Sequence, residues 1–496
     1  MPPSVPPEVI VARYLKSNSY IETLSAFLQE TGLPPDAGST KAGDWTIEKI
    51  LEEKKQFDVS LQYEKVQDDE DETGWTLPAP PAGIANVLCV AKLEFRSQFT
   101  TDSTKDVFLI SLADRSIQAI TFQPDGTSSS IWKVTLSSPI LSIEPTQNPM
   151  GFFSTEMSGK LTFWQTTRFR EPAEPLVERQ NHHKFAVKVT TFEKEGLRYV
   201  ATAGWDQKVY IYCYPTSSIS PSSSLRISPI PSLTTPSATL TFPTNPECLL
   251  FVIDPKTELL HLIVSRRDST HLYYYSIIPT PSNSQSPSTP LLTTASGRQN
   301  LAPNSNAWIS FTPTHFLPHP SDPTLLAIST SHTPHMKLLI TRLLFPSPSP
   351  APQHLTPQQL SAHDLQVSNL ESAAILLHIN TTAPQTPYST PQCAWRPNGS
   401  GVWVNGDDGV VRGIDVKTGK VRMMLGPEKT GTPGPTGHEV GSKVRSIWAG
   451  RIGDNEEEEE EVVVSGGFDK RVFIWRVEKE IKEIGEVEVE FDALSV

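Results

Sequence analysis

The stretch Gly466-Gly467-Phe468-Asp469-Lys470-Arg471-Val472-Phe473-Ile474-Trp475-Arg476-Val477 decides how this chain reads. Val462, Val463 and Val464 lead into it as a β-branched run, two glycines and an aspartate follow, and an apolar segment closes on Trp475. β-Branched and aromatic residues suit a pleated strand, and glycine with aspartate supplies turn conformations, so the segment predicts strand, tight turn, strand. In the second strand Val472, Ile474 and Val477 share a side or are buried. A second copy is Ala203-Gly204-Trp205-Asp206-Gln207-Lys208-Val209-Tyr210-Ile211-Tyr212, and a third is Asn405-Gly406-Asp407-Asp408-Gly409-Val410-Val411-Arg412-Gly413-Ile414. Copies this far apart in one chain mean an internal repeat.

These copies resemble the WD40 repeat family, in which a strand, a glycine-aspartate turn and a strand ending in tryptophan plus a polar residue recur. Trp475-Arg476 and Trp164-Gln165 stand where that family usually has Trp-Asp, Trp205-Asp206 lies in the turn instead, and Gly437-His438 falls at the family's Gly-His distance before a repeat end. The resemblance implies hydrogen-bonded chains that stabilise each blade. A turn aspartate accepts a histidine N–H, the other histidine nitrogen accepts from a hydroxyl, and the hydroxyl takes a bond from an aromatic donor. The residues at matching places are His183, Thr202, Asp206 and Tyr212 in the third repeat, and His438, Ser465, Asp469 and Trp475 in the seventh. Asp114, Trp164 and Asp408 hold the corresponding turn or strand-end places elsewhere.

Working outward, short strands begin near residue 84 and divide into seven units: 86–95, 106–112 and 116–122; 140–144, 151–155 and 160–164; 187–192, 199–203 and 208–212; 249–253, 259–265 and 271–277; 308–312, 325–330 and 336–343; 392–395, 401–405 and 410–416; 443–448, 461–465 and 471–477. Outer fourth strands fall at 130–136, 374–379 and 420–425. The expected fold class is mainly β, a seven-bladed WD40-like β-propeller over 84–496 with a small helical module before it. Closing the ring takes one more outer strand, expected at 486–491 with 74–78 as the alternative. Pro/Ser/Thr-rich inserts at 215–239, 279–304, 345–370 and 380–391 read as exposed loops, because their composition builds no core. Ser-Pro and Thr-Pro pairs in them place hydroxyls at Ser220, Ser228, Thr235, Thr280, Ser286, Ser347, Ser349, Thr386 and Thr390, where phosphates would switch a docking surface. The acidic run 456–461 reads as a solvated hairpin tip.

The segment before the repeats is helical. Pro6 and Pro7 precede Glu8, then Ile10, Val11, Tyr14 and Leu15 recur at helical spacing. After Asn18-Ser19, a second amphipathic set, Tyr20, Thr23, Leu24, Phe27 and Leu28, runs to Gly32 and Pro34. Two helices this short cannot bury both apolar faces alone, so pairing with a second copy is the physical expectation for 7–35. The stretch resembles the LisH motif, a small dimerisation module, through Ile10, Val11, Tyr14, Leu15, Tyr20, Thr23, Phe27 and Glu30. That family often has glycine where Ser19 stands, and Asn18 is expected to take the left-handed conformation in its place. A helical connector follows at 44–66, carrying Ile47, Ile50, Leu51, Phe57 and Leu61, and then an acidic, proline-rich linker at 67–83.

Composition narrows the function. The 496 residues carry a net charge of −13, which disfavours nucleic-acid binding through phosphate neutralisation. The cysteines Cys89, Cys213, Cys248 and Cys393 are widely spaced, fitting reduced thiols in a cytoplasmic or nuclear setting. No apolar run spans a bilayer, and the first residues lack the pattern of a signal peptide. Ser465, His438 and Asp469 form a hydrolase-like trio without a nucleophile elbow, so the structural role is expected. His182-His183 and the pair His332 and His335 lack the companion ligands of a zinc site, and Thr418-Gly419-Lys420-Val421 lacks the spacing of a phosphate loop. Neither a metal, nor a cofactor, nor a catalytic residue is expected. The expected function is a non-enzymatic scaffold, homodimeric through the first helices and binding proteins or peptides on the propeller. Proteins combining the two resembled modules serve in ubiquitin ligases, as corepressors and in microtubule-motor regulation, so a ligase subunit or substrate receptor is the sharper alternative. A propeller hydrolase would need acids or histidines converging on the central channel.

Overall fold

The computed structural model describes residues 6–40, 44, 46–51, 85–96, 104–122, 128–147, 150–166, 171–216, 233–280, 289–303, 311–346, 357–426, 437–453 and 460–476. Helix α1 (Pro7–Ser17) starts on Pro7, whose missing N–H costs nothing in the first turn, with Glu8 there and Lys16 in the last turn complementing the helix dipole. The Asn18 side chain closes the helix by donating to the Tyr14 carbonyl at 3.0 Å. Helix α2 (Ile21–Thr31) stops at Gly32, which takes the left-handed conformation at φ 65°. The turn between them differs from expectation. Ser19 itself adopts φ 61°, while Asn18 stays at φ −92° because its side chain is engaged with α1. Residues 47–51 are helical, with Thr46 Oγ1 accepting from the Lys49 N–H, and the rest of the expected connector and the linker lie outside the described residues.

Seven antiparallel sheets follow, each built from consecutive strands. They are β1–β4 (Val87–Arg96, Thr104–Leu112, Ser116–Phe122, Ser128–Thr135) and β5–β8 (Ile140–Gln147, Met150–Glu156, Lys160–Gln165, Glu174–Gln180). Next come β9–β12 (Ala186–Lys194, Leu197–Gly204, Lys208–Pro215, Ala238–Thr241) and β13–β16 (Pro246–Ile253, Leu260–Arg266, His271–Pro279, Leu291–Asn300). The last are β17–β20 (Pro313–Pro318, Leu325–Thr330, His335–Arg342, Ile375–Pro384), β21–β24 (Cys393–Trp395, Gly401–Val404, Val411–Asp415, Lys420–Leu425) and β25–β27 (Val444–Ile452, Glu460–Gly467, Val472–Arg476). Each first strand packs beside the next sheet's first strand, and β25 packs beside β1, so the sheets close a ring. This is a seven-bladed β-propeller. Among the described residues the seventh blade has three strands, and both proposed closing segments lie outside them.

The core is not one mass but seven, one between each pair of neighbouring blades. Strand alternation makes this possible. On β27 Val472 and Ile474 face blade one, while Phe473 and Trp475 face blade six. On β2 Phe108 and Ile110 face blade seven, while Val107 and Leu109 face blade two. A middle strand buried on both faces therefore reads as a continuous apolar run, as Val462-Val463-Val464 does.

The inner strands carry a repeated irregularity. Ladder register slips by one residue near their starts, at Leu88, Leu141, Val187, Glu247, Thr314 and Arg445. Such bulges bend a strand and re-aim its side chains, as a tight central ring demands. They also free backbone N–H groups to reach the neighbouring blade. Val189 N–H donates to Ser142 Oγ at 3.3 Å, Ile447 N–H to Gln392 Oε1 at 3.2 Å, and Val90 N–H to Ser446 Oγ at 3.0 Å across the closing interface.

Five expectations need correction. The insert 279–304 contains β16, the fourth strand of blade four, and 380–391 opens with the end of β20. The insert 345–370 contains most of helix α3 (Pro357–Ala374), whose buried Glu371 accepts the Asn300 N–H at 2.7 Å. The insert 215–239 ends on β12. The inner strand of blade five is β17, at Pro313–Pro318 rather than 308–312, and its Phe316 fills the core against blade four.

Candidate functional site

Blade seven holds a complete buried polar chain. His438 Nδ1 lies 2.9 Å from Asp469 Oδ2, His438 Nε2 lies 2.9 Å from Ser465 Oγ, and Trp475 Nε1–H donates to Ser465 Oγ at 2.8 Å. The carboxylate can only accept, so Nδ1 carries the proton, and Nε2 accepts from the serine hydroxyl. Asp469 also accepts the backbone N–H of Glu439 at 3.1 Å and of Arg471 at 3.3 Å. Burial by itself would raise this carboxyl's pKa, but the His438 hydrogen bond and these N–H groups outweigh it and hold it below the usual carboxylate range. Gly467 leaves the space, since a Cβ there would come within 2.5 Å of Asp469 Oδ1 and 2.7 Å of His438 Nδ1.

Blade three builds the same device on His182, not His183. His182 Nδ1 lies 2.8 Å from Asp206 Oδ1 and its Nε2 lies 2.9 Å from Thr202 Oγ1. His183 is exposed and contributes only its backbone N–H to Asp206 Oδ2, at 3.3 Å, the part Glu439 plays in blade seven. Side chains of adjacent residues cannot both enter one buried slot, and spacing alone could not choose between them. Tyr212 is not the terminal donor either. Its hydroxyl is engaged by Asn181 Nδ2, because a phenol carries its polar atom at the far tip of the ring whereas an indole carries it on the flank.

The remaining sequence-selected residues take other partners. Trp164 Nε1–H donates to Ser154 Oγ at 2.8 Å in blade two. Asp114 caps its turn by accepting from Ser116 N–H and Oγ, at 3.0 and 2.5 Å. Asp408 forms a two-pronged ion pair with buried Arg412, at 3.1 and 2.6 Å. His332 stacks on Phe311 at 4.5 Å and lies 2.8 Å from Thr330 Oγ1, and His335 is exposed. Thr418 and Lys417 close a turn on Asp415 between β23 and β24. Among the described residues no cluster of three or more His, Cys, Asp or Glu is placed to hold a metal, and no helix is long and apolar enough to cross a membrane.

The Ser465-His438-Asp469 trio is fully buried, with histidine and aspartate side chains at 0% exposure. The serine hydroxyl is engaged on both sides within the core, donating to histidine and accepting from tryptophan.

The ring's centre is polar. Lys188 on β9 acts electrostatically on Cys89, Glu144, Cys248, His315 and Cys393 from five other blades, which sets its ammonium near the axis. Arg445 acts in the same way on Cys89 and Glu247. The central acids and histidine are engaged within the wall: Glu247 by Arg267, Glu144 by the Thr191 N–H at 3.4 Å, and His315 Nδ1 by the Cys393 N–H at 3.4 Å. At the mouth of this axis, between blades six and seven, lies a cavity of about 150 Å³ lined by Tyr388, Ser389, Asp407, Lys443, Arg445 and Phe468 among others. Tyr388 is 90% exposed and Phe468 37%. Sequence reading missed this cavity because its residues come from the β20–β21 connection, two turns and a blade junction.

Fold and site together define a seven-bladed β-propeller preceded by a LisH-type helical hairpin. Residues 85–476 match the beta-propeller domain of UCP007778 and residues 8–35 match its LisH domain. The chain belongs to the UCP007778 family. Among solved structures it is similar to the WD40 beta propeller domain of Doa1, with a TM-score of 0.46, 12% identity, and coverage of 82% of this chain and 98% of that one. It is also similar to Saccharomyces cerevisiae Sqt1, with a TM-score of 0.49, 11% identity, and coverage of 82% and 100%. No curated protein matches.

Proposed function

We propose that the chain is a non-enzymatic scaffold that pairs through its N-terminal helices and receives a protein partner at the mouth of the propeller axis. The observation that carries the reading is the unfinished core of the α1–α2 hairpin. Of its residues only Ala12 is buried, while Ile10, Val11, Tyr14, Leu15, Leu24, Phe27 and Leu28 are half-buried and Tyr20, Ile21 and Thr23 are exposed. An apolar set left half in water gains by covering itself with an identical set, at about 25 cal/mol per Å² removed from water. Two copies present two cavities, and a bivalent partner gains from effective concentration. The exposed aromatic rings of Tyr388 and Phe468, beside the charges of Lys443, Arg445 and Asp407, supply an anchor-and-rim arrangement for a peptide segment.

The test measures mass in solution by light scattering for the wild type and for Tyr14→Ala/Phe27→Ala. A dimer that becomes a folded monomer supports the pairing, and equal masses end it. Tyr388→Ala/Phe468→Ala should leave mass and circular dichroism unchanged while removing co-purifying proteins. Retention of all of them would sink the docking half.

A further inference from the structure

The connection from β20 to β21 contains Thr386-Pro387-Tyr388-Ser389-Thr390-Pro391. Thr386 is exposed and precedes proline, and its surroundings differ from those of Thr280, another Thr-Pro hydroxyl. Thr280 Oγ1 donates to the Pro290 carbonyl at 3.0 Å, so its neighbour is an acceptor that would repel a phosphate. Thr386 Oγ1 instead faces two donors, Lys443 Nζ at 3.1 Å and the Tyr388 N–H at 3.3 Å, and its own hydroxyl donates to Ser389 Oγ at 3.1 Å, whose proton is given to Asp407. An ammonium and a backbone N–H are groups that hold a phosphoryl oxygen.

We propose that Thr386 is a phosphorylation site of the proline-directed class, its phosphate held by Lys443 and the Tyr388 N–H at the edge of the axial cavity. In the transfer, a bond forms between Thr386 Oγ and the γ-phosphorus of ATP. The bond from that phosphorus to the β–γ bridging oxygen breaks, ADP leaves with the electron pair, and the hydroxyl proton passes to the kinase's base. The local turn is closed by a bond from Ser389 N–H to the Thr386 carbonyl at 3.0 Å and by the Ser389 hydroxyl. A kinase that takes its substrate extended opens these surface bonds and must also work against the anchored flank, where the Gln385 N–H donates to the Pro334 carbonyl at 2.7 Å. One opposing charge faces the site. Asp407 Oδ2 lies 3.0 Å from Lys443 Nζ and accepts from Ser389 Oγ at 2.5 Å. Lys443 and Asp407 balance each other, and Arg445 is a further positive charge in the lining. A phosphate adds about −1.5 to −2 charge, turning this edge of the cavity anionic, against acidic peptides and toward basic ones. The proposal needs no docking partner for its readout, so it stands or falls apart from the scaffold reading.

The experiment treats the full chain with ATP and a proline-directed kinase, maps the sites by tandem mass spectrometry, and titrates the product by phosphorus NMR. Thr386→Ala assigns the Thr386 resonance by its disappearance. Thr386 is expected to be modified, and its phosphate's second pKa should lie about half a unit lower in the wild type than in Lys443→Met. Asp407→Asn should lower it further. An unmodified Thr386 in a reaction that labels other Ser-Pro or Thr-Pro sites overturns the proposal, and so does a second pKa indifferent to both substitutions. Should Lys443→Met lose its native circular dichroism, Asp407→Asn decides alone, and no change there overturns the assignment.

Discussion

His438 Nδ1 and Asp469 Oδ2 lie 2.9 Å apart although 31 residues separate them in the chain. The pair ties the segment entering blade seven to the turn between its middle strands, and Ser465 and Trp475 extend the tie into the core against blade six. Its burial makes it costly to break from one side. Asp469→Ala leaves the imidazole and two backbone N–H groups without their acceptor, and should cost about 3 kcal/mol. Asp469→Asn should cost less, since the amide oxygen still accepts. The sign with pH follows from the lowered carboxyl pKa. The contribution is fully present above the unfolded-state value of about 3.9 and is lost as pH falls through the lower folded-state value. Urea midpoints from pH 7 to pH 2.5 should therefore fall more steeply on the acid side in the wild type than in Asp469→Asn.

Blade three offers a contrast within one dipeptide. His182→Ala removes a buried ring bonded to both Asp206 and Thr202, and should cost about 2 to 3 kcal/mol. His183→Ala removes an exposed side chain whose backbone N–H is unchanged, and should stay within about 0.5 kcal/mol of wild type. Equal losses from the two in thermal unfolding would mean that the buried nitrogen is not the one in the structure.

How far the fold could be read from sequence depends on where each strand lies in its blade. Val462-Val463-Val464 and Val472-Phe473-Ile474-Trp475 announce themselves because middle strands are buried on both faces. β16 was hidden because an outermost strand is largely solvated. In Leu291–Asn300 the one buried residue is Gln299, which serves as a hydrogen-bond partner for Tyr274 at 2.6 Å. α3 was hidden for a related reason, since Leu365 and Leu370 are exposed while Asn369 and Glu371 are buried, the reverse of an amphipathic signature. At the buried chains, the turn aspartates were visible from their position. The choice of His182 over His183, and the failure of Tyr212 to replace tryptophan, depended on side-chain direction, which spacing does not encode.

The ring's closing interface makes a distinct prediction. Phe108 is 1% exposed and packs edge-on to Trp448 at 5.3 Å, with Val464 and Ile474 in the same core. Phe108→Ala should cost about 3 to 5 kcal/mol. Hydrogen exchange should accelerate first in β1 and β25, because their shared core and the Val90–Ser446 bond hold the ring shut. Uniform acceleration over all blades would show that the ring opens elsewhere.

Glu461, at the end of the acidic run, is no solvated tip. Both its oxygens engage Arg396 of the neighbouring blade, at 2.8 and 2.9 Å, in the parallel geometry that suits a guanidinium. Glu461→Ala should cost about 1 to 2 kcal/mol, with the loss shrinking at high salt. Glu439→Ala is the control, since that carboxylate is 62% exposed and 3.6 Å from Arg471, and a pair of that kind contributes about 0 to 1 kcal/mol.

The central histidine supplies the last test. Burial, followed by the Lys188 charge, pushes His315 down to about 3, so the folded ring holds it neutral. The unfolded chain takes up a proton near pH 6.5. Stability from this residue is therefore complete above about pH 6.5 and is lost as pH falls toward the folded value. His315→Asn keeps an acceptor for the Cys393 N–H without the titration. Its stability should decline less than that of the wild type between pH 7.5 and pH 4.5, even if it starts lower. The neighbouring thiol gives an independent readout. Burial pushes Cys393 up to about 12, and burial likewise pushes Cys213 up to about 11. Neither forms much thiolate at neutral pH, and thiol reagents should label them only when the ring opens. Acidification that protonates His315 should open it, so a brief return to pH 7.5 with reagent should label Cys393 in the wild type and spare it in His315→Asn. Equal labelling in the two proteins would place the acid-sensitive element outside the axis.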